Sequence, residues 1–228
     1  MEVLSIKKQS VAACVSVAVR ELRTGGVILF PTDTLYGLGA DALNNDAVEK
    51  IYAIKGRDER RPIHCIVADI AMMEKYAEVS DMARLLAREF LPGALTLILK
   101  KREGIDTGIA RGIGTIGFRI PDDQFCLKLA QKFGRPFTAT SANISGRKTE
   151  LTVKAILGQL SGGISHSNVL QNVRMRNITL VVDAGDPPAG GAERQPSTVV
   201  DLSGKEPIIL REGAISDADI WNAIRAEE

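Results

Sequence analysis

Ten residues constrain this chain more than any others: Phe30-Pro31-Thr32-Asp33-Thr34-Leu35-Tyr36-Gly37-Leu38-Gly39. They follow an apolar run, Gly25-Gly26-Val27-Ile28-Leu29-Phe30, that reads as a buried strand, and they precede a helical pattern from Ala47 to Ile54. Pro31 ends the strand, because its ring fixes φ and it offers no N–H to a neighbour. Thr32, Asp33 and Thr34 then set two hydroxyls and a carboxylate at the strand end. Gly37 and Gly39 read as places where backbone approaches closely or takes a positive φ. In isolation the stretch is equally a polar turn between strand and helix.

The next segment changes that balance. Lys55, Arg57, Arg60 and Arg61 put four cations into seven positions where the helix ends. Cations at a helix C-terminus commonly only complement its dipole. Here Lys55 and Arg57 flank Gly56, and Pro62 leads straight into the apolar run Ile63 to Val67. A cationic cluster held between two core elements is placed to hold an anion.

The rest of the chain keeps interleaving helices and strands. Helical periodicity covers Val11–Arg23, Asp69–Tyr76, Asp81–Phe90 behind Ser80, Gln124–Phe133 closed by Gly134, and a stretch near Thr152–Leu160. The 47–54 helix takes Asn45 or Asp46 as its cap, and Ser216 with Asp219 opens a last helix over about 217–226. Strands are expected at Val27–Phe30, Ile63–Val67, Ala94–Lys100, Thr115–Ile120, Phe137–Thr140, Ile178–Asp183, Ser197–Asp201 and Pro207–Arg211. Glu103–Gly114, with four glycines, reads as a mobile loop, and Ala184–Pro196 as a loop or lid. No composition break divides the pattern. It predicts one α/β domain over residues 1–228, with its core at about 11–213 and a mixed sheet flanked by helices.

Bulk properties exclude several classes. The chain has 228 residues, 45% of them apolar and 25% charged, which is ordinary for a globular protein able to bury a large core. A net charge of +1 supplies no global field for nucleic acid, so any anion site must be local. Cys14, Cys65 and Cys126 lie far apart among apolar residues and read as buried thiols. Lys7-Lys8 before Val11–Val19 superficially suggests a leader, but Arg20-Glu21 ends the apolar stretch too early to span a membrane. The expected location is cytoplasmic.

No phosphate-loop lysine motif, Gly-x-Ser-x-Gly elbow, dinucleotide fingerprint or metal-ligand spacing occurs. His64 and His166 read as structural or exposed, and Asp122 and Asp123 as capping residues. The positive candidates are Thr32, Thr34, Lys55, Arg57, Thr115, Arg119, Ser141, Asn143, Ser197 and Arg211. All stand at or near expected strand ends, where open α/β sheets place ligands. They offer cations, hydroxyls and a carboxamide, with no evident nucleophile or base. Such an inventory suits phosphate and carboxylate binding.

Five blocks in one order resemble the YrdC/Sua5 family. They are the Pro-Thr-Asp-Thr-Leu-Tyr-Gly-Leu stretch, Lys55-x-Arg57, Leu91-Pro92-Gly93, Ser141-x-Asn143 and Ser197-Thr198-Val199-Val200-Asp201. The likeness runs from about Val11 to about Gly213 and matches the short, single-domain form. It implies a YrdC-like domain, a twisted mixed sheet around a basic cleft. The implied activity is synthesis of L-threonylcarbamoyladenylate from L-threonine, bicarbonate and ATP with release of pyrophosphate, for the t6A modification of tRNA. By the same resemblance Lys55, Arg57, Ser141 and Asn143 are catalytic. Thr32, Thr34, Arg119, Ser141 and Ser197 hold threonine or carbamate. Lys55, Arg57, Arg61, Thr115, Asn143 and Arg211 hold nucleotide. Mg²⁺ arrives with ATP, there is no protein metal site, and the product passes to a tRNA threonylcarbamoyl transferase machinery. Alternatives are an RNA-binding module without catalysis, with weak RNA affinity in the same cleft, and a paralogue performing another carbamoyl or adenylyl transfer. Against the module, aromatic residues make up only 4% of the chain and form no stacking platform.

Overall fold

The computed structural model describes residues 1–58, 61–162, 174–185 and 195–226. Arg60, His166 and most of the 184–196 segment read above as a lid lie outside the described residues. The elements, in chain order, are β1 (Glu2–Ser5), α1 (Val11–Arg23), β2 (Val27–Phe30), β3 (Gly37–Gly39), α2 (Asn45–Lys55), β4 (His64–Ile66), α3 (Ile70–Glu74), α4 (Asp81–Phe90) and β5 (Leu95–Lys100). A 3₁₀ turn at Gly108–Ala110 follows, then β6 (Thr115–Arg119), α5 (Gln124–Phe133), β7 (Phe137–Ser141), α6 (Val153–Leu160), β8 (Ile178–Asp183), β9 (Thr198–Asp201), β10 (Ile208–Arg211) and α7 (Asp217–Arg225).

The strands form one mixed sheet in the order β1-β8-β2-β3-β7-β4-β6-β5-β9-β10. The pairs β1/β8, β2/β8, β4/β6 and β5/β9 are parallel and the others antiparallel. Because strand side chains alternate in direction, the sheet has two distinct faces. One packs α2, α3, α4, α6 and α7 against Leu29, Leu38, Cys65, Leu97, Phe118 and Val200. The other packs α1 and α5 against Ile28, Phe30, Ile66, Phe137, Leu180 and Val182. That second layer covers only part of its face. Among the described residues, its buried core draws nothing from β5, β6, β9 or β10.

Two strands escaped the sequence reading. β3 is Gly-Leu-Gly, which has almost no intrinsic strand preference. It is a strand because β2 and β7 pair with it on both sides. Its glycines do not take a positive φ. They are needed for space: a Cβ on Gly37 or Gly39 would stand 2.9 Å from the Phe30 ring. That ring is fixed by Phe137 at 5.5 Å, edge-on, and by Phe125 at 6.4 Å. β1 is a four-residue edge strand held by parallel pairing to β8.

Two further details differ from expectation. The cap of α2 is Asn44, whose side chain accepts from Ala47 N, while Asn45 accepts instead from Gly108 N at 2.7 Å. The glycine-rich segment 103–114 is therefore not loose. Ile109 N donates to Ala42 O, Lys101 Nζ to Ala110 O, and Ile109 and Ala110 are buried. Gly108 permits this docking through φ +57, with its α-carbon against the Ala42 carbonyl, where a Cβ would overlap it. The caps at Ser80, Asp123 and Ser216 form as expected. All three cysteines are free and buried. Among the described residues no helix is long and apolar enough to cross a membrane.

Candidate active site

Where α1 and α5 stop covering the sheet, a cleft of about 460 Å³ opens. Its lining includes Thr32, Thr34, Arg57, Arg119, Ser141, Ser197 and Arg211 from the sequence candidates. The site thus lies across an uncovered sheet face rather than along one line of strand ends. Period-2 alternation brings His64 of β4, Ala139 and Ser141 of β7 and Arg119 of β6 onto the same face.

The turn after β2 is built around Arg119. Its Nη1 donates to Thr34 Oγ1 at 2.7 Å, its Nη2 to Asp33 Oδ1 at 2.7 Å and its Nε to Gly93 O at 3.2 Å. Thr32 Oγ1 donates to Leu35 O at 2.7 Å and accepts from Thr34 N at 3.0 Å, which locks the turn. Asp33 also accepts from Asp122 N. This carboxylate was visible in the sequence but not taken as a site residue. Its role is to align Arg119, and its position between two threonines was the available signal.

Lys55 does not line the cleft. It is 1% exposed at the end of α2, where Gly56 in the left-handed region turns the chain away. Its Nζ donates to Ser141 O, to Asn143 O at 3.1 Å and to Asn143 Oδ1 at 3.0 Å. Ser141 Oγ donates to the same Oδ1 at 2.7 Å, and Asn143 Nδ2 donates to Arg147 O. Lys55 and Asn143 are therefore a buttress behind the lining residue Ser141. Burial, and secondarily Arg57, bring the ammonium pKa down to about 7. Three oxygen acceptors favour the protonated form and work against that displacement.

Arg57 donates from Nη2 to Pro62 O at 2.8 Å, and its Nε is buried with no partner among the described residues. Arg211 donates to Ser197 O at 2.7 Å and Ser197 Oγ at 3.3 Å, and Ser197 Oγ pairs with Thr96 Oγ1 at 2.8 Å. Burial pushes both guanidinium pKa values down, Arg211 further through Arg119. Lys148 and Thr149, which carried no sequence signal, also reach the lining. Besides Lys55 and Asn143, two further candidates fall outside it. Thr115 lies at the far end of β6, opposite Lys100, about 13 Å along the strand from Arg119. Arg61 is exposed, and its carbonyl accepts from Tyr52 Oη. His64, expected to be structural, lines the cleft instead. Burial first, and then Arg211, Arg57 and Arg119, hold its pKa down to about 4.

The arrangement presents fixed N–H groups and hydroxyls to an open cleft, with Asp33 already committed to Arg119. It can bind and orient anionic groups. The family model Sua5_yciO_yrdC, described as "Telomere recombination", matches residues 20–213. The chain belongs to this family. Over 196 residues it is 37% identical to the putative threonylcarbamoyl-AMP synthase of Methanocaldococcus jannaschii, covering 86% of this chain and 84% of that one. The threonylcarbamoyl-AMP synthase of Pyrococcus abyssi is 33% identical over 211 residues, but this Sua5/YrdC chain spans only 57% of its length. The crystal structure of P. abyssi Sua5 complexed with L-threonine superposes with a TM-score of 0.81 at 30% identity, covering 98% of this chain and 61% of that one.

Proposed function

We propose that this Sua5/YrdC chain joins L-threonine, bicarbonate and ATP into L-threonylcarbamoyladenylate, releasing pyrophosphate. The observation that carries the reading is the convergence of Arg57, Arg119 and Arg211 with Ser141 on one cleft, in a chain resembling a Sua5 solved with L-threonine. Threonine and bicarbonate first give the N-carboxylate with loss of water, a step that needs no covalent group from the protein. A carbamate oxygen then attacks the α-phosphorus of ATP, and pyrophosphate leaves.

The reaction brings two anions together. Two unit charges 4 Å apart repel by about 4 kcal/mol at an effective dielectric near 20. The three guanidiniums offset that repulsion and take the charge that builds on the equatorial oxygens. Ser141, held by Lys55 and Asn143, is a positioned hydroxyl at the junction of the two substrates. Orientation supplies much of the remaining acceleration. Mg²⁺ enters as part of the nucleotide substrate. The product goes on to the machinery that transfers the threonylcarbamoyl group to tRNA, in a cytoplasmic setting.

The test is incubation with ATP, Mg²⁺, bicarbonate and each amino acid in turn, reading pyrophosphate and the adenylate by mass. Release should require bicarbonate and be greatest with threonine. Serine, which lacks only a methyl, should fall roughly 10–200-fold below it. Equal release with valine, or release without bicarbonate, would place the chain among paralogues with other carbamoyl or adenylyl chemistry.

A further inference from the structure

The cleft holds an imidazole that the chemistry above does not use. His64 sits on the sheet surface between two very small neighbours. Ala139 is its partner in register on β7. On the β6 side lies Gly117, where a Cβ would come within 3.1 Å of the His64 Cβ and 3.3 Å of its Nδ1. A larger residue at Gly117 would displace the imidazole. The result is a shallow pit beside the ring, floored by backbone and the Ala139 methyl. Neither ring nitrogen has a hydrogen-bond partner among the described residues. The charged groups facing the ring are Arg57, Arg119 and Arg211.

Guanidinium groups donate and never accept. Ligand carboxylate, carbamate and phosphate oxygens therefore pair with the arginines. Of the lining hydroxyls, Thr32 donates to Leu35 O, Ser141 donates to Asn143 Oδ1 and Ser197 pairs with Thr96. A neutral imidazole adds a ring-nitrogen acceptor that has no partner among the described residues. Resting on the reading above, we propose that His64 is a specificity-determining residue. Its imidazole accepts a hydrogen bond from the side-chain hydroxyl of the bound amino acid, whose methyl lies in the pit against Ala139. Burial first, and then the guanidiniums around the ring, keep it uncharged, so this acceptor persists across the neutral pH range.

The experiment compares native protein with His64→Leu and His64→Gln. Amino-acid binding is measured by calorimetry in the presence of ATP, and turnover by pyrophosphate release with threonine and with valine. His64→Leu should lower the threonine-over-valine ratio at least 10-fold, with ATP affinity changed less than about 2-fold. His64→Gln keeps an acceptor and should retain most of the ratio. The native ratio should stay flat from pH 6 to 9. A native enzyme that prefers threonine and a His64→Leu variant with an undiminished ratio would overturn the assignment of His64 alone. If His64→Leu does not fold, a near-native ratio in His64→Gln beside a low ratio in His64→Asn, whose shorter amide cannot reach, supports the geometry. A native ratio retained in both amide variants overturns it. A native protein indifferent to the hydroxyl overturns the functional reading itself.

Discussion

At the scale of single residues, Lys55 shows how much a side chain's role depends on where its end group goes. A lysine two residues before an arginine reads as a phosphate ligand. Here its ammonium is buried among three oxygens of the Ser141–Asn143 turn, and Arg57 alone of the pair lines the cleft. Lys55→Met would remove a buried ammonium but leave Ser141 O, Asn143 O and Asn143 Oδ1 short of donors. A buried acceptor left without its donor costs about 1–3 kcal/mol. The variant should lose about 2–4 kcal/mol of stability in urea unfolding, as well as turnover, whereas Arg57→Ala should lose turnover by ~100-fold or more with stability within about 1 kcal/mol. Equal stability of Lys55→Met and native protein would show that the ammonium does not hold the turn. Charge type matters as well: Arg57→Lys should remain impaired, because a point charge lacks the planar fork.

At the scale of elements, β3 is the informative case. Its two glycines were read as places of close approach or of positive φ, and close approach is the one the structure shows. Phe30, directly opposite Gly37 in register, fills the space a side chain would take. Phe30 in turn is wedged by Phe125 and Phe137, so it cannot yield cheaply. Gly37→Ala should therefore destabilise by about 1–3 kcal/mol through overpacking. Trimming the ring with Phe30→Leu should recover part of that loss, so the double variant should be more stable than the sum of the singles by at least about 1 kcal/mol. Strict additivity in denaturant titrations would show that something other than the ring demands glycine there. The same strand also starts the catalytic architecture, since Gly37 pairs with Ser141 across the β3/β7 ladder.

At the scale of the whole molecule, a chain of net charge +1 concentrates Arg57, Arg119, Lys148 and Arg211 on one cleft. Such a cleft attracts any polyanion weakly. RNA should therefore bind with low affinity that collapses as salt rises, and ATP should displace it. Tight tRNA binding at physiological salt that ATP leaves unchanged would favour the RNA-binding module. Helices α1, α4, α5 and α7 were legible with their Ser80, Asp123 and Ser216 caps, because caps and 3.6-residue periodicity are local properties. The organising turn and the Ser141–Asn143 block were legible as motifs. β1 and β3 were not, because a short edge strand and a Gly-Leu-Gly strand exist only through their neighbours. Nor was the place of the cleft. That depends on β7 lying beside β4, on β6 lying parallel to β4, and on α1 and α5 covering only one part of a face. Local sequence determined which segments are helix, strand and turn, and which residue types could bind an anion. Tertiary structure alone decided that Arg119 meets Thr34 across 85 residues, that Lys55 meets Asn143 across 88, and that His64 faces the cleft. Those meetings follow from strand order and face, and no local periodicity encodes either.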